Sequence, residues 1–321
     1  MRRLPRDLIV VGASAGGVEA LRDLVAGLPA GLPACVLVVL HLPAGGTSAL
    51  PAILDRAGPL PVRSATDGEP LEHGAIHVAP PNHHLLVVDG RLALSHGPTE
   101  NGRRPAIDAL FRSAAIVAGP RVTGVLLSGV LDDGIAGLRS IAGRGGKVVV
   151  QDPDEALYPG MPRQAMAAVE VDHVLPVGAM GTILDKLCRE EVEPNGAPEP
   201  TLLLRLENTI ATTDLSAPFG HEPEASGQGA GLTCPDCDDA LVEMALGSRY
   251  QCRGGHAWAA ETLLNAQGLA WERGSTRFAS RYELHAQEAL EAATLPRAPL
   301  DLADRRTPEG MSSDADRSAP G

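Results

Sequence analysis

Ser14, His41 and Asp133 are three residues that could together perform acyl transfer, and each lies at or shortly after the end of an apolar segment. In such chemistry a hydroxyl attacks, an imidazole takes its proton, and a carboxylate orients the imidazole. If the three segments are neighbouring parallel strands, their carboxyl ends meet at one edge of the sheet. The sequence therefore predicts a Ser-His-Asp site at that edge.

The turn that carries Ser14 reads Gly-Ala-Ser-Ala-Gly-Gly over residues 12–17, between an apolar run and a helical pattern. It fits the G-x-S-x-G pattern of a nucleophile elbow, in which the N–H groups of Ala15 and Gly16 would face a developing oxyanion. A glycine turn before a helix could instead hold a phosphate. However, a dinucleotide site needs G-x-G-x-x-G and an acid after the second strand, where this chain has Ser14 and His41. Acyl transfer is therefore favoured over nucleotide binding.

Each of these three residues also has an ordinary structural explanation. Ser14 could cap a helix, His41 could be a hydrogen-bonded histidine at the rim, and Asp133 could cap the helix predicted from Ile135. Their common position at one edge of the predicted sheet favours a functional site over three separate structural roles.

Short apolar runs alternate with helical patterns between residues 7 and 177. The predicted strands are Leu8–Val11, Cys35–Leu40, Ala75–Ala79, Leu85–Val88, Val122–Leu127, Lys147–Val150 and His173–Pro176. The predicted helices are Val18–Gly27, Ser48–Asp55, Ile107–Val117, Ile135–Gly143 and Met161–Ala168. Continuous apolar strands separated by helices predict an α/β fold, a doubly wound and mostly parallel sheet with helices on both faces. The closely spaced strands between residues 75 and 95 predict a hairpin at one edge of this sheet.

Five separated segments resemble, in order, the motifs of the catalytic domain of chemotaxis protein-glutamate methylesterases, the CheB family. They are Gly12–Gly17, Leu40–Pro43, Arg104–Phe111, Leu127–Gly134, and Gln151–Ala156 followed by Gly160–Pro162. The resemblance covers roughly residues 6–188. It implies a doubly wound α/β domain and a catalytic triad formed by Ser14, His41 and Asp133, with no cofactor for catalysis.

The same resemblance implies the reaction and the partner. A member of this family hydrolyses glutamate γ-methyl esters on helices of methyl-accepting chemotaxis receptors and can also deamidate receptor glutamines. His41 would deprotonate Ser14, and the N–H of Ala15 would help to hold the oxyanion.

Two features depart from the family pattern. A receiver domain usually precedes the catalytic domain, but here the catalytic pattern begins near residue 7, so we expect no control by such a domain. The family usually has Gly-Met-Gly where this chain has Gly129-Val130-Leu131. Val130 would border the oxyanion site, and Leu131 replaces a glycine that could need a positive φ. An alternative hypothesis is therefore a catalytically weak or inactive CheB-like binding module in a signalling complex.

A second group of chemically capable residues consists of Cys234, Cys237, Cys252 and His256. A C-x-x-C knuckle, a hairpin and a second ligand pair are typical of a zinc ribbon, in which four ligands hold a structural metal. A unit this small needs a metal for stability, and four protein ligands leave no open position for catalysis. The alternatives are a ribbon that has lost its metal and a redox dithiol, although no βαβ unit surrounds the C-x-x-C. We expect structural zinc and a role in docking.

Composition excludes several other classes of protein. The chain has 321 residues, 44% of them hydrophobic, a formal net charge of −13, and only two Trp, three Tyr and three Phe. An acidic chain with few aromatic residues lacks the basic grooves and stacking platforms of a nucleic-acid-binding protein. No apolar run approaches the ~20 residues of a membrane span, and we recognise no signal peptide, so we expect a cytoplasmic protein without membrane insertion.

Changes in composition predict four regions. Residues 1–190 form the catalytic domain, and residues 191–231 form a linker that includes one short helix at Leu202–Ala211. Residues 232–267 form the zinc-ribbon-like module, and residues 268–321 form a helical segment and a disordered tail.

Overall fold

The computed structural model describes residues 3–42, 45, 48–193, 196–213, 229–245 and 249–271. The strands are β1 (Leu4–Pro5), β2 (Leu8–Ala13), β3 (Cys35–Leu40), β4 (Val62–Ser64), β5 (Ile76–Val78), β6 (His84–Val88), β7 (Arg91–Ser95), β8 (Val122–Leu126), β9 (Lys147–Gln151), β10 (His173–Leu175), β11 (Glu191–Val192), β12 (Gly229–Thr233), β13 (Ala240–Ala245), β14 (Arg249–Cys252) and β15 (Ala257–Ala259). The helices are α1 (Gly17–Gly27), α2 (Leu50–Asp55), α3 (Ile107–Ala118), α4 (Ile135–Gly143), α5 (Gly160–Ala168), α6 (Val177–Cys188), α7 (Leu202–Thr212) and α8 (Ala260–Trp271). Within these residues no helix is long and apolar enough to cross a membrane.

The main sheet has seven strands in the order β10-β9-β8-β2-β3-β5-β4, and all of its pairings are parallel. From β2 the chain forms β3, β4 and β5 on one side of the sheet and later β8, β9 and β10 on the other, so the order reverses between β2 and β8. In a doubly wound sheet the crevice at such a reversal is where ligands bind. The predicted fold class is confirmed.

Apolar side chains on the two faces of the sheet form two separate cores. Residues such as Val11 and Val38 pack with α1, α2 and α6, whereas Val10 and Leu37 on the other face pack with α3, α4 and α5. Because both faces are covered, the central strands are apolar along their whole length.

The strands between residues 75 and 95 do not form the predicted hairpin at the edge of the main sheet. Strand β5 lies inside the parallel sheet between β3 and β4, and β6 and β7 pair with each other in a separate two-stranded sheet. Leu85 and Val87 of this hairpin are buried in the core that contains α3. The prediction was wrong because the chain leaves the sheet after β5 to cover a helix, and sequence spacing does not reveal that.

Three other elements differ from, or extend, the sequence-based assignment. The edge strand β4 is short and partly exposed, and the helix α6 packs against α1 with Leu184 and Leu187 buried; neither was predicted. The helix expected at Leu202–Ala211 is present as α7, and its first turn is capped by Thr201, whose Oγ1 accepts from Leu204 N at 3.2 Å.

The C-terminal module consists of β12 to β15, a four-stranded antiparallel sheet, followed by α8. It has a small core of its own, formed by Cys234, Leu241, Tyr250, Cys252, Trp258 and Leu263. Residues 246–248 between β13 and β14, most of the linker after residue 213 and the predicted tail from residue 272 lie outside the described residues.

Candidate active site

Ser14 lies in the turn between β2 and α1, and its side chain does not cap the helix. The N-terminal cap of α1 is Gly16, at φ 70°, and no side chain caps that end. The backbone N–H of Ser14 donates to Ser128 O at 2.9 Å, which joins this turn to the loop after β8. A Cβ on Gly16 would lie 2.7 Å from Ser128 Oγ and 3.0 Å from Leu157 Cβ. The turn therefore needs glycine both for its left-handed backbone and for space.

His41 directly follows β3 and faces both other members of the predicted triad. Its Nδ1 lies 3.0 Å from Ser14 Oγ, and its Nε2 lies 2.6 Å from Asp133 Oδ2. A carboxylate only accepts hydrogen bonds, so the neutral ring carries its proton on Nε2. The lone pair of Nδ1 is then directed at the serine hydroxyl, the arrangement that a general base requires.

The Asp133 carboxylate is buried and caps a helix that is distant in sequence. Its Oδ2 accepts from Ile107 N at 2.7 Å, and its Oδ1 accepts from Asp108 N at 3.2 Å; both donors belong to the first turn of α3. Asp133 thus does not cap the helix that begins at Ile135, whose N–H bonds the carbonyl of Asp132. The positive end of the α3 dipole favours the ionised carboxylate.

Burial by itself would raise the pKa of Asp133, but the hydrogen bond and charge of His41 and the two backbone N–H groups lower it below its ordinary value. The carboxylate is therefore ionised at neutral pH. It can fix the ring of His41 and stabilise the imidazolium that forms when His41 takes a proton.

The predicted oxyanion donors lie in the turn of Ser14 and in the loop after β8. Ala15 and Gly16 follow Ser14 directly, and Val130 is exposed on the facing loop. Ser128 connects the turn of Ser14 to the loop after β9, because its Oγ donates to Ala15 O at 2.8 Å and accepts from Tyr158 N at 3.0 Å. The backbone of Leu131 does not adopt a positive φ. The replacement of glycine by leucine therefore causes no left-handed strain.

Exposed apolar side chains border the serine turn. Val130 is 49% exposed, Leu157 67% and Tyr158 44%. Val130 lies in the loop after β8, and Leu157 and Tyr158 lie in the loop after β9. Gly129 N joins these two loops by donating to Tyr158 O at 2.9 Å. The rim of the site therefore presents apolar surface to the solvent.

A buried group of charges lies behind Asp133, and the sequence reasoning did not single it out. Glu100 pairs with Arg112 and, at 2.5 Å, with Arg249 of β14. Arg249 also contacts Asp108 Oδ2 at 3.2 Å and Glu207 Oε1 at 2.6 Å. Burial alone would raise the pKa of Glu100, but the two guanidinium groups hold it far below its ordinary value.

Asp108 is the least well compensated member of this group. Burial, and then the neighbouring charge of Asp133, raise its pKa to about 7. Its Oδ1 accepts from Gly137 N at 2.7 Å. Glu100 and Arg249 are 149 residues apart in the sequence, so no local pattern indicates that they pair.

Asn101 is a further residue that the sequence reasoning missed. Its Nδ2 donates to Asp133 Oδ1 at 3.2 Å, so the predicted catalytic carboxylate has a side-chain partner besides His41. The Asn-Gly dipeptide at residues 101–102 is a recognisable turn signal, but a turn signal does not reveal this contact.

The four predicted metal ligands lie together in the C-terminal module. Their ligand atoms all lie within 4.8 Å of one another. Cys237 Sγ is 3.6 Å from Cys252 Sγ, and His256 Nδ1 is 3.7 Å from Cys234 Sγ and 3.4 Å from Cys252 Sγ. A tetrahedral zinc ion, with bonds of about 2.3 Å to sulfur and about 2.0 Å to nitrogen, holds its ligand atoms about 3.5–3.8 Å apart. The donor set therefore fits such an ion.

Comparison with known proteins shows the family of this chain. Residues 9–184 match the model of the CheB methylesterase family. The chain belongs to the CheB methylesterase family. The matched region contains Ser14, His41 and Asp133, and it ends before the Cys3His cluster of Cys234, Cys237, Cys252 and His256.

Curated relatives of this CheB family member carry the name protein-glutamate methylesterase/protein-glutamine glutaminase. The protein of that name from Symbiobacterium thermophilum is 39% identical over 189 residues, which are 59% of this chain and 52% of the relative. One from Methanosarcina mazei is 37% identical over 192 residues, which are 57% of this chain and 52% of the relative. The chain thus spans about half the length of these relatives.

A solved structure, the Thermotoga maritima CheB methylesterase catalytic domain, matches with a TM-score of 0.54 and 31% sequence identity. The match covers 56% of this chain and 98% of that chain. The family and the fold that the five motifs predict are both confirmed.

Proposed function

We propose that this protein is a protein-glutamate methylesterase whose nucleophile is Ser14, with His41 as general base and Asp133 as the carboxylate that orients it. The observation that carries the proposal is the continuous hydrogen-bonded chain from Ser14 Oγ through both ring nitrogens of His41 to Asp133. The names of the relatives supply the substrate class, which is the γ-methyl ester of a protein glutamate or the amide of a protein glutamine.

The reaction begins when Ser14 Oγ attacks the γ-carbonyl carbon while His41 Nδ1 takes the hydroxyl proton. The negative charge moves to the carbonyl oxygen, where the N–H groups of Ala15 and Gly16 and the loop of Val130 are the nearest candidates to stabilise it. Collapse of this intermediate breaks the ester C–O bond, and His41 returns its proton to the departing methanol. A water molecule, activated by His41, then hydrolyses the acyl-serine and leaves a glutamate.

Deamidation follows the same steps with ammonia as the leaving group. We propose helices of methyl-accepting chemotaxis receptors as the partners, because they are the substrates that the family resemblance implies. The exposed apolar rim of Val130, Leu157 and Tyr158 supports a protein substrate. A cytoplasmic location remains part of this proposal.

The test is release of methanol from methyl-labelled receptor fragments by wild type and by Ser14→Ala. We expect release by wild type and none above background by Ser14→Ala, with unchanged thermal unfolding. Equal release by both proteins would contradict the role of Ser14. Receptor binding without release by wild type would favour the alternative of an inactive binding module.

We also propose that the Cys3His cluster binds a structural zinc ion. The support is the spacing of the four ligand atoms, which suits a tetrahedral ion, and the small apolar core of the module. Four protein ligands leave no open position, so no catalytic step involves the metal. We expect about one zinc per purified chain and a lower zinc content in Cys237→Ser; a chain without stoichiometric zinc would contradict the proposal.

A further inference from the structure

The C-terminal module is hydrogen-bonded to the segment that precedes α3. Ala257 N donates to Thr99 O at 3.2 Å, and Asn101 N donates to Ala257 O at 2.7 Å, so β15 runs alongside residues 99–101. The side chain of Asn101 extends this contact, because its Oδ1 accepts from Ala259 N at 2.6 Å. Its Nδ2 donates in turn to Asp133 Oδ1. One carboxamide therefore connects the module to the proposed catalytic carboxylate.

The backbone around Asn101 is a tight turn that does not itself require these side-chain contacts. Glu100 and Arg103 exchange two backbone hydrogen bonds, of 3.1 and 2.9 Å, and the two residues between them have φ values of 53° and 65°. Positive φ at both central positions favours Asn-Gly. Glycine would form the turn equally well, so the turn can be kept while the carboxamide is removed.

A second contact connects the module to the loop that carries Asp133. The hydroxyl of Thr262, in the first turn of α8, donates to the carboxylate of Asp132. Asp132 precedes Asp133 in the chain, and Thr262 lies in the helix that directly follows β15. The module therefore contacts Asp132 directly through α8 and reaches Asp133 through the bond between β15 and Asn101.

We propose that the C-terminal module is a structural support for the triad, and that Asn101 is the positioning residue through which it acts. This inference rests on the proposed function. Bonded to Ala259, the carboxamide donates to Asp133 Oδ1 beside Asp108 N, while Oδ2 faces His41. A module that loses its metal, and with it the position of β15, releases Asn101 and allows the carboxylate to turn away from the imidazole.

The first test measures the rate at which a fluorophosphonate probe labels Ser14 in the full chain, which reports activation of the serine without any receptor. We expect Asn101→Gly to slow labelling about 10- to 100-fold, the range expected for loss of a hydrogen bond to a charged group. Asp89→Gly is the matched control. Asp89-Gly90 is a turn with the same signs of φ, 49° and 74°, in the separate β6-β7 hairpin. Its labelling rate should equal that of wild type.

The second test removes zinc from the full chain with a chelator and then adds zinc back, in wild type and in Asn101→Gly. Chelation should slow labelling of wild type reversibly but should have little further effect on Asn101→Gly, because both changes break the same connection. Steady-state hydrolysis of a small ester should show a lower kcat with KM nearly unchanged. A purely structural role for Asn101 predicts instead that the two effects multiply.

The outcomes of these tests distinguish failure of this inference from failure of the proposed function. Wild type that does not label at Ser14 contradicts the proposed function, and this inference with it. Wild-type labelling that Asn101→Gly leaves unchanged overturns this inference and leaves the esterase proposal standing. Effects of chelation and of Asn101→Gly that multiply overturn the coupling through Asn101. If the protein binds no zinc, the Asn101→Gly comparison alone decides, with the slower rate supporting the inference and the unchanged rate overturning it.

Discussion

The parallel-sheet domain and the C-terminal module position active-site residues by different physical means. In the sheet domain, strands buried on both faces end directly at Ser14 and His41, and backbone hydrogen bonds such as His41 N to Ala13 O fix them. The module has a small core that includes two of the four candidate metal ligands, and its contacts toward the site are polar, made by the backbone N–H of Ala259 and the hydroxyl of Thr262. Apolar burial therefore positions Ser14 and His41, whereas a polar network surrounds Asp133.

The difference matters because a substitution affects a polar network and an apolar core in different ways. Loss of a methyl group in a core leaves a cavity, but loss of one partner in a buried network leaves a charge or donor without compensation. Asp133 has four donors from three regions of the chain, and only one of them is the histidine. The orientation of this carboxylate thus depends on residues far apart in the sequence.

The largest effect is expected from Asp133→Asn. The new amide can donate to His41 Nε2, so the ring would carry its proton on Nδ1 and no longer accept one from Ser14. We expect kcat to fall by about 10⁴-fold, as for the equivalent change in other Ser-His-Asp enzymes. Methanol release measured from pH 6 to 9 checks this, and a loss below tenfold would show that the acid is not needed to orient the base.

The next largest effect is expected from Arg249→Met, which removes the cation shared by the module and the sheet domain. Glu100 would then keep Arg112, whereas Asp108 and Glu207 would lose their ion-pair partner, so we expect a loss of about 3–5 kcal/mol in the free energy of unfolding. Denaturant titration measures it. The control is Arg205→Met, which removes an exposed pair with Glu199 and should cost less than about 0.5 kcal/mol. Equal losses in unfolding free energy would mean that the buried network contributes no more to stability than an exposed ion pair.

A smaller effect is expected from Gly102→Ala, which tests the packing of the module over the Asn101 turn. A Cβ there would lie 3.0 Å from the ring of Trp258, and the residue has φ 65°. Gly90→Ala is the matched control, since Gly90 has φ 74° with nothing within 4 Å of its Cβ position. We expect a loss of about 1 kcal/mol in the control and about 2 kcal/mol at Gly102, from thermal or denaturant unfolding. Equal losses would argue against close packing of Trp258.

The last prediction concerns the dependence of stability on pH. The pKa of Asp108 is raised to about 7 in the folded protein, mainly by burial and next by the charge of Asp133. The folded state therefore keeps a proton that the unfolded chain loses near pH 4, and this contribution to stability disappears as pH rises through 7. Asp108→Asn should remove a negative slope of at most about 1.4 kcal/mol per pH unit between pH 4 and 7. An unchanged slope would show that Asp108 ionises normally.

Much of the fold could be predicted from the sequence because it depends on local hydrophobic pattern. The continuous apolar runs predicted the central strands, and β3 and α4 have the bounds expected from the sequence. The short edge strand β4 and the departure of the β6-β7 hairpin from the main sheet were not readable, because marginal strands and their partners are decided by packing.

The sequence by itself predicted that Ser14, His41 and Asp133 lie close together, because parallel strands place their ends at one edge whatever lies between them. It also identified the four metal-ligand candidates, since a ligand knuckle has a fixed spacing. Only the tertiary structure decided what surrounds the acid. Asn101, Asp108 and Arg249 come from distant parts of the chain, and their side chains are ordinary turn, helix and strand residues in sequence. They meet behind Asp133 because the C-terminal module packs there, and long-range contacts of this kind have no periodicity or spacing from which to predict them.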